Sequence, residues 1–541
     1  MTSTHPSRWW ALAVLAAGLS MIVLDGTIVG VALPAIIRDL HLTLSDAQWL
    51  NAIYSVVFAA LLMSFGRMAD LYGRRNMFIG GVMVFVAGSI WAATAQHGNT
   101  MLLARGLQGV GGAMVLPTSL SSVNTMFQGN DRATAFGIWG AVMAGMAAIG
   151  PLLGGWLTAT LSWRWIFWVN LPIGLLVVIG ALLVAPNSKA ADAEPGRFDW
   201  LGLVLSIVGF GALVFAVIEG PELGWIHPIR ELTVGNATWS RSAPVSLAFL
   251  ALVVGIVGIG VFITWERHRL HQRQRVLLNL ALFSIPTFSW GNITAMAVAV
   301  GEFALVFVLP LYLIGVLGLS PFIAGWVLAA MALGAFVAGA LARHASERFG
   351  AARVVLIGLI LEVIGVGVLA LVLNRSVSPF LVSACLIIYG VGLGFAAAQL
   401  TSTVLADIPP TQSGQGSATQ STVRQVGSAL GIALSGSALA AGFDRYLTHA
   451  FDGMTAIDPS QAQALIDATR SSVGSNLAGL RADVANGLLG AQGNDIVNAL
   501  ATAFTGATRW SLVTAMVFLA LGMVGAVRVV RAAHPTTPAT G

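Results

Sequence analysis

The feature that most limits how this chain can fold is a succession of about fourteen apolar runs, each roughly 20 residues long and separated by polar breaks. A helix of that length crosses a hydrocarbon core about 30 Å thick, and inside lipid a helix satisfies its own backbone hydrogen bonds. Composition closes off the alternative. Of 541 residues, 57% are hydrophobic and 9% are charged, against about 25% charged in an ordinary soluble domain. A water-soluble fold is excluded, and the chain reads as an all-α polytopic membrane protein.

The formal charge of +5 could suggest nucleic-acid binding in a soluble protein. Here the arginines sit in short loops between apolar runs, where they set orientation, so no nucleic acid is expected as a partner. An even number of spans puts both termini on one side. Loops on that side carry about sixteen Lys and Arg, including Arg67, Arg267, Arg269, Arg273, Arg275 and Arg348, while the opposite short loops carry about three, Arg38, Arg164 and Arg375. Both termini are therefore expected in the cytoplasm, with the lipid bilayer as the chain's surroundings. A lone lysine, Lys189, among 27 basic residues points to a GC-rich bacterial genome and so to a bacterial inner membrane. Cys385 is the single cysteine, which leaves no disulfide framework and no cysteine-based metal site. The apolar run after Arg8 continues to about Leu33 without a small-residue cleavage site and reads as the first helix rather than a removed signal. Two longer loops fall outside, 219–244 and 443–507. In the second, Ala, Leu and Val spaced among Asp, Ser and Gln predict amphipathic helices that lie on the membrane surface or cap a vestibule.

An internal echo organises the chain. Gly66, Arg67, Asp70, Gly73, Arg74 and Arg75 follow the second span; Arg343, Glu347, Arg348, Gly350 and Arg353 follow the tenth. Both place an acid three residues before a glycine and then arginine. Corresponding hairpins imply two six-helix bundles that rock about a midplane site, over 1–184 and 284–541, with two inserted helices in 185–283. The plainer explanation is that any such hairpin needs glycine to turn and arginine to anchor it.

The first of these loops resembles the signature loop of the major facilitator superfamily. Leu24 to Pro34, with Asp25 near its start, looks like the helix 1 motif of that family's fourteen-helix drug:proton antiporter branch. Arg105, Gln108, Gly109, Gly111 and Gly112 look like its helix 4 motif. Gly150, Pro151, Gly154 and Gly155 look like the helix 5 motif associated with antiporters, and the stretch from Ser162 through Arg164 and Asn170 to Pro172 looks like the connection that follows. The resemblance runs from about Leu24 to Arg531. It implies two bundles of the major facilitator type plus two inserted helices, 14 transmembrane helices in all, and proton-coupled multidrug efflux of the kind that confers antibiotic resistance. The second-half loop departs from the pattern, with Arg343 in place of the glycine and Glu347 in place of the aspartate.

Asp25 stands roughly 6 Å beyond the midpoint of helix 1. An aspartate at a helix centre costs about 2.5 to 3.5 kcal/mol on insertion scales, and desolvation favours the reversible protonation a proton carrier needs. Arg105 lies at similar depth in helix 4 and could pair with the ionised acid, so that a proton or a cationic substrate competes with the arginine. A permanent structural pair is the alternative. Glu302, mid-way along the ninth span, is expected to face the cavity and attract cations or carry a second proton, with a hydrogen-bonded structural role as the alternative. Glu362 reads as a protonated structural acid packed against the inserted helices, and Arg424 as a residue that snorkels to the cytoplasmic surface. Asp70, near a helix N-terminus, is expected to pair with Arg75 or Arg132 as a latch for one conformation, or else to be a solvated turn residue. Small residues at Gly150, Gly154 and Gly155, beside the helix-breaking Pro151, predict close packing and a pivot.

Cavity walls for varied amphipathic ligands are assigned to Asn51, Tyr54, Met143, Met146, Asn292, Tyr312 and Gln399, because Met and aromatic surfaces adapt to shape; core or lipid packing is the alternative for each. No phosphate loop, nucleophile elbow or zinc helix occurs, so the chain is not read as an enzyme and no cofactor or metal is expected. Energy then comes from an ion gradient, worth about 2.3 kcal/mol per charge per 100 mV. The expected activity is export of amphipathic, often cationic, small molecules in exchange for protons, by a chain functional as a monomer. The rivals are a dedicated exporter of one metabolite, antibiotic, lipid or siderophore, and a non-transporting sensor or scaffold.

Overall fold

The computed structural model describes residues 5–127, 129–186, 199–234, 237–272, 274, 276–408, 413–447, 449–451, 458–474, 476–486 and 492–532. The side chains of Arg67, Asp70, Arg132 and Met143 lie outside the described set. In chain order the helices are α1 (His5–Leu40), α2 (Leu44–Tyr72), α3 (Arg74–Ala93), α4 (Gly98–Met126), α5 (Gly129–Thr160), α6 (Trp165–Trp168), α7 (Asn170–Val184), α8 (Trp200–Leu223) and α9 (Leu247–His271). They continue with α10 (Pro286–Leu311), α11 (Pro321–Phe349), α12 (Ala351–Val372), α13 (Pro379–Leu405), α14 (Ser413–Leu447), α15 (Pro459–Ser471), α16 (Asn476–Ala485) and α17 (Gly493–Ala532). Among the described residues, 11 helical segments are long and apolar enough to cross a membrane. Interleaved with them are α2, α4 and α5, of 29, 29 and 32 residues, whose apolar runs are broken by more polar and small side chains.

Local chemistry sets the helix ends. Thr43 and Asp46 form a reciprocal capping box at the start of α2. Pro286, Pro321 and Pro379 open α10, α11 and α13, where a missing N–H leaves no bond unmade. Both echoed hairpins turn on a glycine in the left-handed region, Gly73 at φ 104 and Gly350 at φ 84, a conformation other residues adopt only under strain. The apolar stretch Trp165–Val184 is divided at Val169 between α6 and α7.

In the N-terminal half α3 packs on α4 and α7, α2 on α4, and α1 on α5 and α7. In the C-terminal half α13 packs on α11 and α12, while α10, α14 and α17 pack on one another and α17 also on α12. The halves meet along α5–α11, α2–α14 and α1–α10. Helices α8 and α9 form a hairpin whose α8 lies against both α2 and α14. We refer to the face carrying His5 and Ala532 as the near face and the opposite one as the far face.

The seams between halves are close in the far part of the molecule. A Cβ on Gly155 would fall 2.5 Å from the Pro321 carbonyl oxygen, and one on Gly325 would fall 2.5 Å from that of Pro151. Gln48 of α2 donates to the Ala433 carbonyl of α14 at 2.9 Å. Helix α8 bridges the same seam: Glu219 accepts from Ser45 Oγ and Trp49 Nε1 of α2, each at 2.8 Å, and Ser437 Oγ of α14 donates to the Val217 carbonyl at 2.6 Å.

Of the two long loops, 219–244 contains a small antiparallel hairpin, Leu232–Val234 with Ala237–Trp239. In 443–507, α14 runs on to Leu447 and α17 starts early at Gly493, leaving α15 and α16 as separate helices. Arg481 of α16 donates to the carbonyls of Gly315, at 2.9 Å, and Val316. Those carbonyls belong to the irregular turn Tyr312–Val316 beyond α10, so α16 caps the far end of that helix.

Candidate functional site

Five helices of the N-terminal half converge on Asp25. Its Oδ2 accepts a short charge-assisted hydrogen bond from Arg105 Nη1, while Oδ1 accepts from Gln108 Nε2 at 2.9 Å and Asn170 Nδ2 at 3.1 Å. Both amides also donate to Ser89 Oγ on α3, at 2.8 and 3.1 Å. Arg105 Nη1 donates to Gln108 Oε1 at 2.7 Å, and Nε reaches the Leu50 carbonyl of α2 at 3.2 Å. The guanidinium lies 4.7 Å from the centre of the Tyr54 ring. Gly111 lets α4 approach α3 so closely that a Cβ there would stand 2.5 Å from the Phe85 nitrogen. Sequence reading brought out Asp25 and Arg105 but gave Gln108, Asn170 and Ser89 no part in holding the acid. Their only signal was position, since Gln108 and Asn170 stand in the motifs of helix 4 and its successor connection.

The C-terminal half holds a second pair. Glu302 Oε2 on α10 accepts from Arg424 Nη2 on α14 at 3.1 Å. Glu302 was expected to face the cavity and Arg424 to snorkel to the cytoplasmic surface; the arginine is paired with the acid, and the pair stays partly exposed. Glu362 is fully buried, but on α12, whose neighbours are α13, α17 and α11, not the inserted helices to which sequence reading assigned it.

The expected cavity walls divide. Asn51, Met146 and Gln399 are half-buried, whereas Met143 lies outside the described side chains. Two assignments are corrected. Asn292 is buried with its amide donating to the Phe288 carbonyl at 2.8 Å, and fully buried Tyr312 donates to the Asn374 carbonyl at 2.5 Å, beyond the end of α10. Both are packed inside the C-terminal half rather than on an exposed wall: Asn292 keeps its Oδ1 buried without a partner, and Tyr312 commits its hydroxyl to a backbone carbonyl 62 residues away. Tyr54 is buried against the Asp25–Arg105 pair.

Among the expected gating residues, Gly150 and Gly154 press α5 onto α1: a Cβ at Gly154 would lie 2.7 Å from the Ile28 carbonyl oxygen. Pro151 and Gly155 face α11 across the seam. Gly66 packs near Pro117 of α4. Arg74 is nearly buried and donates to Thr125 Oγ1 at 3.0 Å, tying α3 to α4 inside one half; Arg75 is half-buried. The latch pairing of Asp70 with Arg75 or Arg132 falls on side chains outside the described set. In the second hairpin, Arg343 and Glu347 pair with each other in an exposed i,i+4 arrangement, so its charges are solvated. On the far face Asp39 accepts from Arg164 at 2.7 Å and Trp163 Nε1 at 3.0 Å, binding the end of α1 to the α5–α6 connection.

The family model described as Major Facilitator Superfamily matches residues 15–432. The chain belongs to the Major Facilitator Superfamily. Two of its superfamily relatives are the puromycin resistance protein pur8 of Streptomyces alboniger, 32% identical over 433 residues and covering 79% of this chain and 81% of the relative, and the multidrug efflux pump LfrA of Mycolicibacterium smegmatis, 29% identical over 527 residues and covering 97% of each. Among solved structures, a bacterial homolog of the human lysosomal transporter Spinster, in an inward-facing and occupied conformation, superposes with a TM-score of 0.62 at 18% identity, covering 98% of each chain. That similarity is one of fold. As a superfamily member the chain is a multi-pass membrane transporter.

Proposed function

We propose that this transporter exports amphipathic, often cationic, small molecules from a bacterial cytoplasm in exchange for protons, by alternating access between two bundles. The observation that carries this reading is Asp25, sealed from water and held by three charged or amide donors. A proton on Asp25 removes the charge that Arg105 is matched to, so protonation and the packing of α1 against α4 are linked. Such a group takes up or releases its proton only when the bundle opens to one side, which is what coupling to a gradient requires. The open Glu302–Arg424 pair is the place where a cation can compete with an arginine. The names of the relatives, a multidrug efflux pump among them, support the substrate class.

On this reading the three remaining long helices α2, α4 and α5 also span, giving fourteen spans: bundles over 1–184 and 284–541 with an inserted region 185–283. The near face is the cytoplasmic one, the closed far seams describe an inward-facing state, and Asp70 latches the near face when it shuts. The chain works as a monomer with the proton gradient as its only energy source. Uptake of a fluorescent cation into inverted vesicles under an imposed proton gradient tests the proposal. Gradient-dependent accumulation supports it, and none across a broad ligand panel sinks the promiscuous reading. The puromycin resistance relative, named for one compound, favours a second reading, dedicated export of a single metabolite; in the same assay only that compound would accumulate.

A further inference from the structure

Helix α12 carries one acid within the membrane, and its surroundings differ from those of the other buried carboxyls. Glu362 is 0% exposed, and neither of its carboxyl oxygens has a hydrogen-bond partner. Across the contact, Gly392 of α13 brings the helices so near that a Cβ there would lie 2.7 Å from the Glu362 nitrogen and 3.0 Å from its Cγ. One turn earlier on α13, Tyr389 is also fully buried, and its hydroxyl also lacks a partner. The helices packed on α12 bring little else to this depth. Neither α11 from Pro321 to Ala342 nor α17 from Trp510 to Val527 contains a charged residue, and α13 contributes only Cys385 and Tyr389 as titratable groups. The charges whose field reaches Glu362 are Glu302 and Arg424, the pair that is partly open to water.

An ionised carboxylate without a partner in such a place is strongly disfavoured, so the packing accommodates the neutral acid. A neutral acid in a dry interior, within the field of a partly exposed ion pair, is a candidate proton store. We propose that Glu362 is a second proton-binding site, which gives up its proton when a cationic substrate displaces Arg424 from Glu302. The charge balance is what makes the exchange feasible. Before substrate arrives, Glu302 and Arg424 cancel and Glu362 is neutral. Once the cation neutralises Glu302, the freed guanidinium compensates the Glu362 carboxylate, the proton passes to water on the open side of the pair, and the cluster has the same net charge as before. Ionisation makes the Glu362 carboxyl the stronger acceptor and draws toward it the Tyr389 hydroxyl, which has no partner beside the neutral acid. One cation is thus traded for one proton inside the C-terminal half, separately from Asp25.

The inference rests on the reading of Glu302 as a cation site, and the test separates the two. Full-length protein in nanodiscs is titrated with tetraphenylphosphonium in weakly buffered solution, with binding, proton release and the infrared carboxylic-acid C=O band recorded together. Wild type is expected to bind, release protons and lose intensity in that band. Glu362→Gln should bind the cation yet release none, and Tyr389→Phe should diminish release. Binding to wild type without proton release or loss of the band overturns the proton role of Glu362 while leaving the cation site intact. Equal release from Glu362→Gln and wild type overturns it too. Absence of binding to wild type overturns the cation site, and this inference with it.

Discussion

In the N-terminal half Asp25 and Arg105 are 0% and 1% exposed and are enclosed by two amides, a serine and an aromatic ring; in the C-terminal half Glu302 and Arg424 are 15% and 46% exposed and share one described hydrogen bond. Both pairs join an acid on the first helix of a half to an arginine on a later helix. The sealed pair cannot exchange a proton with solvent unless helices move, so its occupancy reports on conformation. The open pair can exchange partners without such movement, so its occupancy reports on what is dissolved nearby. The two arginines sit on different helices of their halves, α4 and α14, so the two pairs differ in place as well as in burial.

The comparison breaks most visibly at Asp25. Asp25→Asn keeps the volume but cannot ionise, and its amide nitrogen stands where a carboxylate oxygen accepted from a donor, so gradient-driven transport should vanish and residual flux should lose its pH dependence. Uphill transport with unchanged pH dependence would remove Asp25 from the coupling role. Arg105→Ala removes the cation and leaves Asp25 a buried charge without an ionic partner, a loss of roughly 3 to 5 kcal/mol; a thermal unfolding scan of the purified variant would register it. At the open pair the consequence is narrower. Loss of a charge-assisted hydrogen bond of about 1.5 to 3 kcal/mol predicts that Glu302→Gln weakens cationic ligands roughly tenfold or more. Neutral ligands should be spared, and equal loss for both in paired binding titrations would turn Glu302 into a structural group.

Two smaller effects concern the seams rather than the pairs. Asp70→Asn should shift the balance of states toward the inward-facing form by about tenfold, for a loss near 1.4 kcal/mol. Labels at the exposed Tyr72 and Phe349 would show it as a longer distance population, and an unchanged distribution would reduce Asp70 to a turn residue. Gly155→Ala places a methyl where only 2.5 Å separates it from the Pro321 carbonyl oxygen; overpacking of about 1 to 3 kcal/mol should loosen the far seam and show as wider label separations there. If the far seam tightens or stays as it is, α5–α11 is not the contact that closes this face.

Sequence carried the helical layout, the small-residue seams and the acid of helix 1 with its arginine, because each depends on local composition and depth. It did not carry the partner of Glu302, since Arg424 lies 122 residues away and no spacing rule links positions on different helices. Nor did it separate wall from core on α10. A helix surrounded by lipid and protein is apolar on every side, so periodicity gives no inward direction, and Asn292 and Tyr312 were assigned to a surface they do not reach. Gln108 and Asn170 were passed over for a related reason: an uncharged amide in a helix satisfies too many roles to announce one.

Helix α8 has hydrogen bonds to α2 on one side and α14 on the other, and its partner α9 carries the exposed apolar side chains of Val253, Ile256, Val257 and Val261. When the far ends of α2 and α14 part, α8 must leave one of them, and the hairpin then ploughs through acyl chains rather than through protein. On the alternating-access reading, part of the work of each cycle is done on the bilayer. Turnover should respond to acyl-chain length in reconstituted membranes, a dependence that Glu219→Gln, by slackening the α2 attachment, would blunt.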